Sequence, residues 1–221
     1  MNTRIGKINA RRGTALTLGF LIIGGCAWSL PPTGPPAAAA RPPSAPLDRL
    51  QEVYRQAVSD LDQGRLESAR TALEGLLRED SGRLEIHNAL GVLLRRQGRT
   101  DLAIGEYQSS LAIAERGKGG AGAGDGAAAG PYNNLGIAYR EAGQFDKAEE
   151  AYRKAVAQRP DWETVHFNMG VLYDLYLNRP SEALGHYRDY LRLHGRDETV
   201  EVWVADLEQR LGPGGEHAKE P

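Results

Sequence analysis

The chain reads as an all-α protein of stacked helical hairpins, on three observations. Apolar residues recur at the three- and four-residue spacing of amphipathic helices. One pattern returns along the chain, with glycine between large residues, then an alanine, then an aromatic four residues beyond it. It is seen as Gly91, Ala103 and Tyr107, as Gly136, Ala148 and Tyr152, and as Gly170, Ala183 and Tyr187. Finally, glycine and proline punctuate these patterns, as at Gly143 and Pro160. A fainter copy precedes them, with Ala57, Gly64, Ala69 and Leu73.

The residue types explain themselves physically. Gly136 and Ala148 stand where two antiparallel helices cross closely, and a larger side chain would push them apart. Leu135, Tyr139 and Tyr152 recur at helical spacing and fill the space around that crossing. Gly143 suits a left-handed turn just past the first helix, and Pro160 stops the second. The match is fullest in Tyr132–Pro160, with Leu135, Gly136, Tyr139, Gly143, Phe145, Ala148, Tyr152, Ala155 and Pro160 in place. This resembles the tetratricopeptide repeat, a helix-turn-helix of 34 residues. The resemblance implies an α-solenoid, a right-handed superhelix of about four units at 50–83, 84–117, 129–162 and 163–197. The fourth carries one extra residue around Asn178-Arg179-Pro180. No unit buries its faces alone, so each must stack on its neighbours. "DETVEVWVADLEQRL" then supplies a capping helix over 198–212, with Val200, Trp203, Val204, Leu207 and Leu211 on one stripe. A disordered tail is expected over 213–221.

Units one and two together occupy 47–117, and units three and four 129–197. Between them lies a glycine-rich insert, 118–128; seven of the fourteen residues 117–130 are glycine. Gly117, Gly119 and Gly122 match G-x-G-x-x-G, but that signature needs a strand before it and a helix opening behind it. A helix precedes it here, so the segment reads as a flexible linker that leaves the halves 50–117 and 129–211 room to move.

The chain begins with a positive segment (Arg4, Lys7, Arg11, Arg12), an apolar run from Ala15 to Ile23, and Gly24-Gly25. Positive, apolar, small is the layout of a secretory signal peptide over 1–25. The run is shorter than the roughly 20 residues of a spanning helix. Ile23-Gly24-Gly25-Cys26 resembles a bacterial lipobox, which implies a diacylglyceryl group on Cys26, the only cysteine. Two or more acyl chains give stable anchoring. Arg11-Arg12 resembles a twin-arginine signal, but Gly13-Thr14-Ala15 departs from it and favours general secretion. Ala27 is not the aspartate that resembles an inner-membrane retention signal, which points to the outer membrane. The alternatives at this terminus are an uncut anchor or an ordinary signal with a chance cysteine. A proline- and alanine-rich tether, 26–46, follows, holding seven of the twelve prolines. Extended at ~3.1 Å per residue, it reaches about 60 Å.

Removing 1–25 takes four of 27 basic residues and none of 29 acidic ones, leaving a formal charge of −6 (23 against 29). A mildly acidic chain without a basic stripe argues against nucleic-acid partners. No disulfide and no multi-thiolate metal site is possible with one cysteine. There is no G-x-S-x-G, H-E-x-x-H or phosphate-binding loop. His87 and His166 share a repeat position expected to pack on the neighbouring helix. His186 and His194 lie eight apart with no carboxylate constellation to complete a metal site, so no cofactor and no metal are expected. Glu149-Glu150 and Asp197-Glu198 read as solvated acids.

The family resemblance further implies a concave groove lined by the first helix of each unit. Carried over by position, its residues are Asn88, Val92, Arg95 and Arg96; Asn133, Asn134, Ile137, Arg140 and Glu141; and Phe167, Asn168, Val171 and Asp174. Asparagine amides both donate and accept, so a row of them can pair with a peptide backbone of any sequence. The alternative is that they are solvated or bond to the adjacent helix. Val92, Ile137 and Val171 give apolar contact, and Arg95 and Arg140 could hold a carboxylate. The expected function is a lipid-anchored, non-enzymatic adaptor binding protein or peptide partners in the cell envelope. Similar lipoproteins serve pilus assembly, outer-membrane protein insertion, peptidoglycan enzyme scaffolding or TonB-like systems. The rival readings are an enzyme or small-ligand receptor using the groove as a pocket, and dimerisation through the groove.

Overall fold

The computed structural model describes residues 46–117 and 126–212, which belong to one compact unit. The expected signal peptide 1–25, Cys26, the tether as far as residue 45, residues 118–125 of the insert and the tail 213–221 lie outside the described residues. Among the described residues there are nine α-helices and no strand: α1 (Pro46–Asp62), α2 (Leu66–Glu79), α3 (Leu84–Arg96), α4 (Thr100–Glu115), α5 (Ala129–Glu141), α6 (Phe145–Gln158), α7 (Glu163–Leu175), α8 (Pro180–His194) and α9 (Glu198–Leu211). Consecutive helices pack as the hairpins α1/α2, α3/α4, α5/α6 and α7/α8, each stacks on the next, and α9 closes the array against α8.

The crossing glycine fixes each hairpin. A Cβ added at Gly91 would lie 2.4 Å from the Tyr107 ring, at Gly136 2.5 Å from Tyr152, and at Gly170 2.5 Å from Tyr187. The three tyrosines are fully buried, so the glycine is the space into which the ring packs. Between the helices the chain must reverse within a few residues. Gly64, Gly98 and Gly143 do so at positive φ (+72°, +74° and +72°), where glycine carries no Cβ penalty. In the fourth unit the one-residue insertion changes this turn. Asn178 takes positive φ (51°), a conformation asparagine tolerates better than most residues, and Pro180 occupies the first turn of α8. The second helix of unit three stops at Gln158, just before Pro160.

Three apolar clusters run along the array. Leu61, Leu73, Ile86 and Leu93 join units one and two, and Tyr152, Met169, Leu172, Tyr187, Val200 and Leu207 join units three, four and the cap. The third cluster crosses the junction behind the insert, with Tyr107 and Leu111 of α4 against Leu135 and Ala138 of α5 and Ala151 of α6. The halves are therefore stacked directly across the insert. Burial of those apolar faces, at about 25 cal/mol per Å², opposes any hinge there.

Two acidic pairs are also not simply solvated. Glu149 is buried and accepts from Tyr173 Oη (2.9 Å) and Arg179 Nη1 (3.0 Å), with Arg153 paired to it one turn along. It thus ties α6 to α7 and to the start of α8. Asp197 is the N-cap of α9, accepting from the amides of Thr199 and Val200, and it also receives Tyr190 Oη at 2.9 Å. Glu150 and Glu198 are exposed as expected.

Candidate functional site

The first helices of successive units lie side by side, α3 against α5 and α5 against α7. Their shared edges carry most of the residues assigned to the groove. At the first junction Asn134 Nδ2 donates to Asn88 Oδ1 at 3.0 Å, and Arg95 Nη1 meets Glu141 Oε1 at 2.8 Å. Asn88 and Asn134 are both half-buried. Each primary amide has more donor and acceptor positions than this single bond uses, so the pair retains capacity for a peptide group.

At the second junction Asn168 Nδ2 donates to Asn133 Oδ1 at 2.8 Å. Here the expectation needs correcting, because Asn133 and Asn168 are 3% and 7% exposed. The pair is covered inside the stack, and its amides are not presented to the groove. Arg140 lies over the Tyr176 ring, 5.7 Å from its centre. Arg95 already holds a carboxylate, that of Glu141. Val92, Ile137 and Val171 remain half-buried on consecutive first helices, giving an apolar strip beside the Asn88–Asn134 pair.

An aromatic cluster closes the C-terminal end. Phe167 of α7 packs 5.3 Å from Tyr190 and 6.0 Å from Trp203, whose ring also lies 5.5 Å from Tyr187. Trp203 and its neighbour Val202 are exposed, by 36% and 66%. The sequence pattern puts Trp203 on the cap's apolar stripe. Its ring instead bridges the core and the surface, the position an anchor for a partner would occupy.

A cleft of about 550 Å³ opens on the other side of the array, between α2, α3 and α4, lined by Arg70, Leu77, Leu90, Leu94, Leu102 and Glu106 among others. Its volume suits a small molecule, but none of the groove residues lines it.

The histidines divide into two arrangements. His87 Nδ1 pairs with Glu106 Oε2 at 2.8 Å and His87 Nε2 lies 3.3 Å from the Ser81 carbonyl. The hydrogen bond to Glu106 raises the His87 pKa above its ordinary value. In the fourth unit His166 Nε2 lies 3.0 Å from the Pro160 carbonyl and His166 Nδ1 lies 3.1 Å from His186 Nδ1. Burial, with the His166 ring beside it, holds His186 down at about 4. Asp189, one turn along α8, brings Oδ2 to 3.7 Å from His166 Nδ1. The absence of a carboxylate beside the histidines, expected from the sequence, is thus overturned. Asp189 and His186 share α8 three residues apart, whereas His166 reaches them from α7, twenty residues before His186.

Stacked hairpins with a crossing glycine, a left-handed turn and an edge of amides and aliphatics define a helical-repeat scaffold. The tetratricopeptide repeat model matches residues 82–161 and 127–194, more than half of the chain, and the protein belongs to that family. It is 26% identical to the type IV pilus assembly protein PilF of Pseudomonas aeruginosa over 163 residues, covering 72% of this chain and 60% of that one. It is 33% identical to the photosystem I assembly protein Ycf3 of a Synechococcus strain over 82 residues, 37% of this chain and 44% of the relative. The chain therefore spans less than two thirds of either relative. Among solved structures, that of Pseudomonas aeruginosa PilF superposes with a TM-score of 0.63 at 24% identity, over 73% of this chain and 68% of that one. The Cut9 and Hcn1 complex gives 0.64 at 18% identity, over 72% and 29%. At these identities the superpositions speak for the fold. Both sequence relatives are named as assembly proteins, and no described helix is long and apolar enough to cross a membrane.

Proposed function

We propose that this protein is a non-enzymatic adaptor, held to a bacterial envelope membrane by lipid on Cys26, that grips an extended polypeptide along the edges of α3, α5 and α7. The observation that carries the reading is the strip formed by Val92, Ile137 and Val171 beside the Asn88–Asn134 pair. Aliphatics would take alternate side chains of the partner, and the two amides would pair with its backbone without regard to its sequence. Arg140 would meet an acidic group; Arg95 would do so only in exchange for Glu141. Trp203 and Val202 would hold the end of the segment nearest the cap. The similarity to PilF supports a type IV pilus assembly component as the partner. The tether would let the array reach it away from the membrane.

The test is affinity capture from solubilised envelopes with the full chain and with Ile137→Asp/Val171→Asp. The reading expects a pilus assembly polypeptide with the former and its loss with the latter, at unchanged helicity. Equal capture by both would remove the groove from the account. Fatty-acid labelling of the full chain, lost in Cys26→Ala, tests the anchor; label that persists would refute it.

A further inference from the structure

His166, His186 and Asp189 offer one ligand atom each, all within 4.8 Å of one another, from two packed helices of unit four. Three features make this more than a chance grouping. First, the Pro160 carbonyl can only accept, so His166 Nε2 carries the proton and Nδ1 bears the lone pair directed at the cluster. Fixing a ligand's tautomer through its far nitrogen is the second-shell arrangement of histidine metal sites. Second, Asp189 is oriented in the same way. Arg192 Nη2 donates to Oδ1 at 3.0 Å, while Oδ2 faces His166. Third, the two spacings from His166 are near those of an ion's ligands, and the His186–Asp189 pair lies within 4.8 Å. Ligands about 2.0–2.1 Å from a tetrahedral centre lie roughly 3.3 Å apart, against 3.1 Å for the two Nδ1 atoms and 3.7 Å for Nδ1 to Oδ2.

Unit two provides an internal comparison. There the equivalent histidine, His87, makes the same far-nitrogen contact, to Ser81, and its Nδ1 is closed by Glu106. Glu106 and His186 both stand three residues after the unit's buried alanine. Ser109 takes the place of Asp189. Unit two is thus a simple ion pair, whereas unit four replaces the glutamate with a second imidazole and adds a carboxylate one turn further on. His186 is held in place by stacking on Tyr173, with ring centres 5.4 Å apart and planes at 13°. The nearby cation, Arg153, is engaged by Glu149.

We propose that His166 Nδ1, His186 Nδ1 and Asp189 Oδ2 bind one divalent cation of the zinc class, leaving a fourth position for water or a group from a partner. Two imidazoles and one carboxylate are the donor set that suits zinc over calcium or magnesium. Without the ion, His186 Nδ1–H donates to the His166 lone pair. With it, the His186 proton moves to Nε2 and both lone pairs face the metal. The ion would clamp α7 to α8 in the unit next to the cap.

The test is titration of the detergent-solubilised full chain carrying Cys26→Ser, so that no thiolate contributes. Zn²⁺ is followed by calorimetry and Co²⁺ by visible absorption. The expected result is one equivalent per chain, a tetrahedral Co²⁺ spectrum displaced by Zn²⁺, and affinity lowered about tenfold or more by Asp189→Asn. His186→Ala should abolish it. Asp189 is only half-buried, so Asp189→Asn keeps the fold and circular dichroism verifies this. No saturable binding, or binding within twofold of wild type in Asp189→Asn, would overturn the proposal.

Discussion

Gly136 is the slot into which the Tyr152 ring packs: a Cβ there would stand 2.5 Å from the ring, inside any contact a folded protein accepts. Filling it forces α5 and α6 apart. Overpacking of this kind costs about 1–3 kcal/mol, offset by the ~1 kcal/mol that alanine gains over glycine within a helix. Gly136→Ala should therefore lose up to about 2 kcal/mol in chemical denaturation. Gly105→Ala, on an exposed helical glycine with nothing within 4 Å, should be neutral or stabilising by up to ~1 kcal/mol.

The two asparagine pairs should behave differently. Asn168→Ala leaves buried Asn133 without its partner, at about 1–3 kcal/mol of stability. Asn134→Ala, at the half-buried pair, should cost less than about 1 kcal/mol and act chiefly on partner affinity. Thermal melts of each variant, set beside binding of the captured partner, separate the effects. Equal destabilisation by both would mean that the Asn88–Asn134 pair is also structural.

Glu149 sits among Tyr173, Arg153 and Arg179. Glu149→Ala strands the Tyr173 hydroxyl and removes the acceptor that anchors the start of α8, so a loss of about 1–3 kcal/mol is expected. Glu150→Ala, at an exposed pair with Lys154, should leave the melting temperature nearly unchanged.

Stability should fall at both ends of the pH range through different groups. Asp60 is held at about 2 by hydrogen bonds from Ser68, Arg65 and Gln56. A depressed carboxyl contributes stability above its unfolded value near 3.8, and that contribution is lost as pH falls towards 2. His87 is raised by Glu106, so its contribution is complete below about 6.5 and disappears as pH rises through the folded value. Denaturation across pH with Asp60→Asn and His87→Gln checks the signs. Each variant should flatten only its own limb.

The fold was legible because its determinants are local. Helices open at Leu84, Ala129, Glu163 and Glu198, since crossing glycines, turn glycines and Pro160 act within one hairpin. The candidate site was less so, because its outcome depends on contacts between hairpins. Asn133 and Asn168 occupy positions that can face either the groove or the neighbouring helix, and in the folded chain they are buried against one another. Glu149 finds partners 24 and 30 residues away, and His166 meets His186 and Asp189 only when α7 folds against α8. Nothing in spacing along the chain announces such meetings.

The central claim, that α3, α5 and α7 present the surface that holds another polypeptide, is most directly tested by photo-crosslinking in living cells. A photoreactive residue is placed in the full chain at Ile137 or Val171, and for comparison at Leu102, an exposed position on α4. The account predicts adducts to one envelope assembly polypeptide from Ile137 and Val171 and none from Leu102. Adducts from Leu102 alone, or no adduct from either groove position, would contradict it.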